Sequence, residues 1–332
     1  MRPIESVDRA PAVPNIADRA RSAARTVGIT GLTATLTPIW LAHHGATRLT
    51  TRRRRGSTER LPRVAAADIT IDGLLDAGRP VVIEGLTEQL GIGDTATETA
   101  LRTAVGDADA SVTFHDAGTP YFLYSGGYGA EVVERRTMPV AELLDLVLGG
   151  HLPDDRVVYQ LFGPRSLDGG IADQLDAFDR AIRPHTSHRT EPRFSGVWIG
   201  STGVVTPLHH DAWPGLLFQT HGHKRAAIYA PTDRTNLYFR SPLRGEGRWS
   251  ELPGRSADAD PDEFPLLART IRHETVLAPG DAMYIPPFWA HEMEAVEGNI
   301  SVPFRFATFR RGRLDPGFLR PSAELLRQRF TS

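Results

Sequence analysis

Apolar positions change their spacing part-way along the chain. Before Phe194 they fall at both helical and strand periods. Val140, Leu143, Leu144 and Val147 recur at helical spacing, which predicts a helix over Pro139–Leu148. Gly170–Ile182 reads the same way, with Leu175 and Phe178 on one side, and Ile69–Leu75 reads as a shorter helix. Arg79–Leu86 contains the β-branched run Val81-Val82-Ile83, closed by Gly85, and predicts a buried strand; Val157–Leu161 predicts another.

After Phe194 short apolar runs alternate with turn signals. Strands are predicted at Ser195–Ile199, Leu208–Asp211, Leu216–Thr220, Arg225–Tyr229, Thr275–Leu277, Ala282–Ile285, His291–Ala295 and Ile300–Thr308. Gly222, Ala278-Pro279-Gly280-Asp281 and Glu297-Gly298-Asn299 mark the turns between them. Many short strands with regular turns indicate a sandwich or barrel, so the expected class is mainly β with flanking helices. Ser241–Phe264, rich in Gly, Pro, Asp and Arg, interrupts the strands and reads as a solvated loop or as a lid. Ala323–Phe330 reads as a closing helix. Its Leu325, Leu326 and Phe330 would pack on the barrel or on a second copy, the basis for expecting a homodimer.

Charge divides the chain differently. Residues 1–63 hold 12 arginines against 4 acids, while the remainder holds 26 bases against 36 acids, for a net charge of −2. The expected organisation is a basic N-terminal extension over 1–63, partly helical or flexible, then a compact domain over 64–312 and a C-terminal helix over 313–332. Val27–Ala42 is mildly apolar, but Gly28, Gly31 and Pro38 break it and threonines dilute it. It is short and polar for a membrane span and lacks the pattern of a signal peptide. Arg52–Arg55 reads as a solvated linker rather than a nucleic-acid contact. The absence of cysteine excludes disulfides, thiolate metal sites and a thiol nucleophile. The expectation is a cytoplasmic protein with no membrane or nucleic-acid partner.

The candidate chemistry lies in Thr206-Pro207-Leu208-His209-His210-Asp211. On a strand, residues two apart share a face, so His209 and Asp211 point one way and His210 the other. A lone His-x-Asp is expected about once by chance in a chain with 12 histidines. Two further features raise its weight. His291 follows a turn, a strand and the stiff corner Pro286-Pro287-Phe288-Trp289, and would complete two histidines and one carboxylate around a metal. Lys224, the chain's single lysine among 38 basic residues, follows His209 by fifteen. Lysine offers a compact point charge where arginine offers a broad fork, so a lone lysine here reads as a post for one carboxylate, with an ordinary surface residue as the alternative. The other histidines read as surface or satisfied core residues.

Arg79–Leu86, Thr206–Asp211, Gly222–Pro231 and Gly280–His291 together resemble the JmjC and cupin-like hydroxylases, in order and spacing over roughly residues 65–310. The resemblance implies a double-stranded β-helix of jelly-roll type. It implies Fe(II) held by His209, Asp211 and His291, with 2-oxoglutarate and O₂ as cosubstrates. Lys224 and Thr206 would meet the distal carboxylate of 2-oxoglutarate. The implied reaction is hydroxylation of an unactivated C–H with release of succinate and CO₂, on a protein or peptide side chain. Alternatives are a small-molecule substrate, N-demethylation, or a non-catalytic binding protein.

Three positions depart from the family pattern. Tyr159 lies near, but out of register with, a tyrosine that touches 2-oxoglutarate in relatives. Gly215 stands where an asparagine is common. Arg305 occupies a late-strand polar position, either as a partner for a substrate carboxylate or as a surface residue. Trp213 follows Asp211 by two and is the expected aromatic at the substrate mouth.

Overall fold

Residues 56–117, 132–240, 248–307, 309–310 and 313–314 are described by the computed structural model. The extension before residue 56, the Val27–Ala42 segment, the Arg52–Arg55 run and the closing helix at Ala323–Phe330 lie outside these residues.

Helices come early and are short: α1 Ile71–Ala77, α2 Leu86–Gln89, α3 Glu98–Val105, α4 Val140–Leu148 and α5 Gly170–Ile182. The strands before residue 200 are β1 Ser57–Arg60, β2 Arg63–Ala65, β3 Val81–Glu84, β4 Asp109–Asp116, β5 Val132–Pro139, β6 Arg156–Phe162 and β7 Val197–Gly200. Those after it are β8 Val205–His210, β9 Gly215–His221, β10 Lys224–Tyr229, β11 Ile271–Leu277, β12 Ala282–Ile285, β13 Ala290–Ala295 and β14 Asn299–Arg305. Among the described residues they form a five-stranded sheet, β1-β11-β10-β13-β8, and a nine-stranded sheet, β2-β3-β12-β9-β14-β7-β6-β4-β5.

The sheets pack face to face, as a jelly roll requires. Ala226, Ile228, Leu277 and Met293 from the smaller sheet meet Val82, Leu217, Met283 and Ile285 from the larger. The larger sheet's other face carries Leu216, Phe218, Val302 and Phe304 against the helices, where the predicted stripe Val140, Leu143, Leu144 and Val147 is buried. The smaller sheet's outer face carries Leu208, Ala227, Tyr229 and Ala290, covered by Leu237, Leu252 and Phe264.

Two expectations change. Part of the region expected as N-terminal extension is a sheet edge, because Ser57–Arg60 pairs parallel with β11. The region expected as a solvated loop or lid also contributes to the core: within 248–264, Trp249, Leu252 and Phe264 are buried among exposed neighbours. Composition hid this, because a few apolar residues among many polar ones are enough to cover one sheet face. Strands β4 and β5 and helix α3 are elements not predicted from sequence, although Ala110, Val112 and Phe114 alternate along β4. Among the described residues, no helix is long and apolar enough to cross a membrane.

Candidate active site

The inner face of the smaller sheet carries the polar residues singled out by sequence. His209 on β8 and His291 on β13 are direct cross-strand partners, with ring centroids 4.2 Å apart. Asp211 lies one residue beyond β8. One side-chain ligand atom from each of His209, Asp211 and His291 lies within 4.8 Å of the others. His210 faces the opposite side, as alternation demands, against Arg234 and Phe239.

Both imidazoles are oriented in the same way. His209 Nδ1 lies 2.9 Å from the carbonyl of Pro207, and His291 Nδ1 lies 3.0 Å from the carbonyl of Trp289. A carbonyl only accepts, so each Nδ1 carries the proton and each Nε2 presents a lone pair. Such partners orient metal-binding histidines. Burial, and then the neighbouring His291, pushes His209 down to about 3, and burial also lowers His291, so both stay neutral. Burial alone would raise the Asp211 carboxyl, but Arg305 and then His209 and His291 outweigh it and hold it well below the usual range. Two neutral imidazoles and one carboxylate fit a divalent first-row metal.

Packing fixes these groups. The His209 ring stacks on Trp249 at 4.7 Å and 26° between planes. The Phe288 backbone N–H donates to the Asp211 carbonyl at 2.7 Å. Phe288 adopts φ +64°, a conformation that costs a bulky residue free energy and persists only where its surroundings enforce it. The predicted stiff corner before His291 therefore also braces the Asp211 main chain.

A second polar group lies deeper between the sheets. Lys224 is 2% exposed and shares the inner face of β10 with Ala226 and Ile228, the latter being the cross-strand partner of His291. Its Nζ donates to Ser301 Oγ at 2.6 Å and lies 5.7 Å from the Tyr159 ring centroid. Among the described residues its hydrogen-bond partner is this hydroxyl rather than a carboxylate, and burial lowers its ammonium to about 7. Thr206 Oγ1 donates to the Tyr159 hydroxyl at 3.0 Å. A buried lysine beside two hydroxyls is suited to receive an anion.

Thr206 reaches this group through an irregularity that sequence does not display. Strict alternation would turn Thr206 to the His210 side. Instead His291 pairs with His209 and Met293 with Thr206, so Pro207 and Leu208 oppose the single residue Glu292. This β-bulge shifts the phase, and it accommodates Pro207 on the sheet's edge strand, where a missing N–H is tolerated.

Strand β14 links the two groups. Ser301, Pro303 and Arg305 pair with Gln219, Leu217 and Gly215 and follow Leu217 to the inner face. Arg305 is directed inward: its Nη2 donates to Asp211 Oδ2 at 2.6 Å. Arg248 approaches the other carboxylate oxygen at 3.8 Å. Trp213, expected at the substrate mouth, lies in the turn after β8, where strand alternation no longer applies, and packs on Phe194 at 5.4 Å. Tyr159, read as out of register, is brought to Thr206. Ser301, Arg248 and the stacked position of Trp249 were not assigned to the site from sequence. Ser301 alone had a usable signal, since it lies four residues before Arg305 on one strand and so shares its face.

Residues 67–311, well over half of the chain, match the family described as Cupin-like domain. The chain is similar to Jumonji C domain-containing protein 5 of Drosophila melanogaster, 36% identical over 107 residues, which are 32% of this chain and 26% of that protein. It is similar to human HSPB1-associated protein 1, 33% identical over 105 residues, 31% of this chain and 21% of that protein. It is also similar to tRNA wybutosine-synthesizing protein 5 of Mus musculus, 32% identical over 140 residues, 42% of each chain. The chain therefore covers less than half the length of each of these relatives.

Proposed function

The chain belongs to the cupin-like domain family, and on that footing we propose that it is an Fe(II)- and 2-oxoglutarate-dependent dioxygenase. Its proposed reaction is hydroxylation of an unactivated C–H on a protein or peptide side chain, with release of succinate and CO₂. The observation that carries this reading is the pairing of a His/Asp/His group with a buried lysine on one inner sheet face. Lys224 stands four residues along β10 from Ile228, the partner of His291. That is about 13 Å of strand, a gap that a lysine stem, a short dicarboxylate and an imidazole together can span.

In this reading His209, Asp211 and His291 hold the iron through two Nε2 atoms and one carboxylate. The bound metal would supply binding and activation of O₂ beside the keto-acid end of 2-oxoglutarate. Lys224 and Ser301 receive the distal carboxylate, with Thr206 and Tyr159 beside them. Trp249 holds the His209 ring and keeps water from its face, and Phe288 fixes the Asp211 main chain. Ordering these groups in advance is the protein's contribution to rate.

A small-molecule substrate is the second reading. It is favoured by the recess around the centre, where the side chains of Asp211 and Arg305 are only 13% and 18% exposed. The test is succinate release from 2-oxoglutarate by the Fe(II)-loaded chain. Wild type is expected to release succinate and Asp211→Ala to fall at least a hundredfold. Tight binding of metal and 2-oxoglutarate without turnover would instead identify a non-catalytic binding protein.

A further inference from the structure

Two guanidinium groups converge on one carboxylate at the substrate side of the centre. Arg305 contacts Asp211 Oδ2 at 2.6 Å and Arg248 stands 3.8 Å from Oδ1. Among the described residues, Asp211 is the carboxylate that both approach. Arg305 is three-quarters buried or more, whereas Arg248 is 46% exposed and lies with its guanidinium 5.0 Å from the Trp249 ring centroid. One cation is therefore at the floor of the recess and the other at its rim.

The neighbouring backbone makes room for the inner one. A Cβ at Gly215 would lie 2.6 Å from Arg305 Nη1, 3.1 Å from its Cδ and 2.9 Å from the Phe304 carbonyl. Any other residue at 215 would push the guanidinium off this course. A long, always-charged side chain is thus seated beside Asp211 at the cost of a strand position without a side chain to pack.

Counted over the described residues, the charges do not balance without a further anion. Asp211, two neutral imidazoles and a divalent ion sum to one positive charge, and the two arginines raise this to three. The keto-acid carboxylate of 2-oxoglutarate removes one, while its distal carboxylate is matched by Lys224. Roughly two positive charges remain on the substrate side, a costly arrangement in a recess unless an anion offsets them.

We propose that the substrate carries a carboxylate, and that Arg305 and Arg248 clamp it beside the C–H to be hydroxylated. This rests on the proposed function and adds the substrate's chemical class. A planar guanidinium meets a carboxylate through two parallel hydrogen bonds, which fixes orientation as well as position. The carboxylate has two sources, a free organic acid or the side chain of an Asp or Glu within a peptide.

The test uses the whole chain loaded with Mn(II) and N-oxalylglycine, an inert analogue of 2-oxoglutarate. Calorimetry compares a panel of N-acetylated Asp and Glu, short Asp- or Glu-containing peptides, and the amide isostere of each. At least one acid is expected to bind tenfold or more tighter than its amide. Preference confined to the peptides assigns a side-chain source; preference among the single acids assigns a free one. Arg305→Gln should abolish the preference, with N-oxalylglycine affinity measured on the same variant as the control. Arg305→Lys should keep part of it. Arg248→Gln, at a half-exposed site, should weaken it three- to tenfold. Equal binding of acids and amides, or of neither, overturns the proposal. So does a tenfold loss of N-oxalylglycine affinity in Arg305→Gln with the preference unchanged, which would assign the arginine to the cosubstrate. Failure of wild type to bind Mn(II) or N-oxalylglycine would count against the dioxygenase reading instead.

Discussion

A lysine that is 2% exposed and meets a serine rather than a carboxylate costs the fold free energy. The size follows from its titration. In the unfolded chain Lys224 holds its proton up to about pH 10.5, and in the folded chain only up to about 7. Between these values the unfolded state binds more protons, so stability rises with pH across this window and is lowest below pH 7. The penalty there is on the order of a few kcal/mol. Lys224→Met is therefore expected to raise Tm without cosubstrate at pH 6.5 and to lose that advantage toward pH 10, as thermal melts across the range would show. The same substitution, or Lys224→Ala, should weaken 2-oxoglutarate binding at least tenfold while leaving Mn(II) affinity within about twofold. A Tm that is unchanged or lower at pH 6.5 would mean that the ammonium is better compensated than its neighbours indicate.

At the scale of elements, the centre depends on two local irregularities, the bulge in β8 and the backbone of Phe288. Proline at 288 cannot adopt φ +64° and lacks the N–H that bonds the Asp211 carbonyl. Phe288→Pro is expected to cost about 3 kcal/mol or more and to weaken Mn(II) binding sharply. Phe288→Gly keeps both the N–H and the conformation and should retain Mn(II) affinity within a few-fold, so the pair separates backbone from ring by calorimetry and denaturant melts. The same features mark what sequence can reveal. His209 and Asp211 facing away from His210 follows from strand alternation alone, and so does the burial of Val140, Leu143, Leu144 and Val147 from helical spacing. Lys224 was legible because one lysine among so many arginines invites a local reason. The inward turn of Thr206 was not legible, since a bulge is a property of two paired strands and β8 alone does not display it. Gly215 was equally hidden, since its role exists only through Arg305 on the neighbouring strand, whereas Ser301 shares a face with Arg305 along β14 and could have been read from it.

Across the whole molecule, the smaller sheet works as a partition with a function on each face. Its inner face carries Lys224, His209 and His291, and its outer face is closed by the segment that includes Leu252 and Phe264. Trp249 joins the two, since it belongs to that segment yet stacks on His209. Trp249→Ala is expected to cost about 3–5 kcal/mol in a denaturant melt, in the range of large-to-small core substitutions, and to lower Mn(II) affinity at least tenfold. Loss of stability with full metal affinity would show that the ring is packing alone. The solitary lysine has a further consequence, of a practical kind. Apart from its amino terminus, the chain offers amine-directed reagents a single target, and that target is sealed between the sheets with an ammonium that loses its proton near neutrality. Acylation at this one position, followed by mass spectrometry with and without 2-oxoglutarate, would turn Lys224 into a native occupancy gauge that needs no engineered probe.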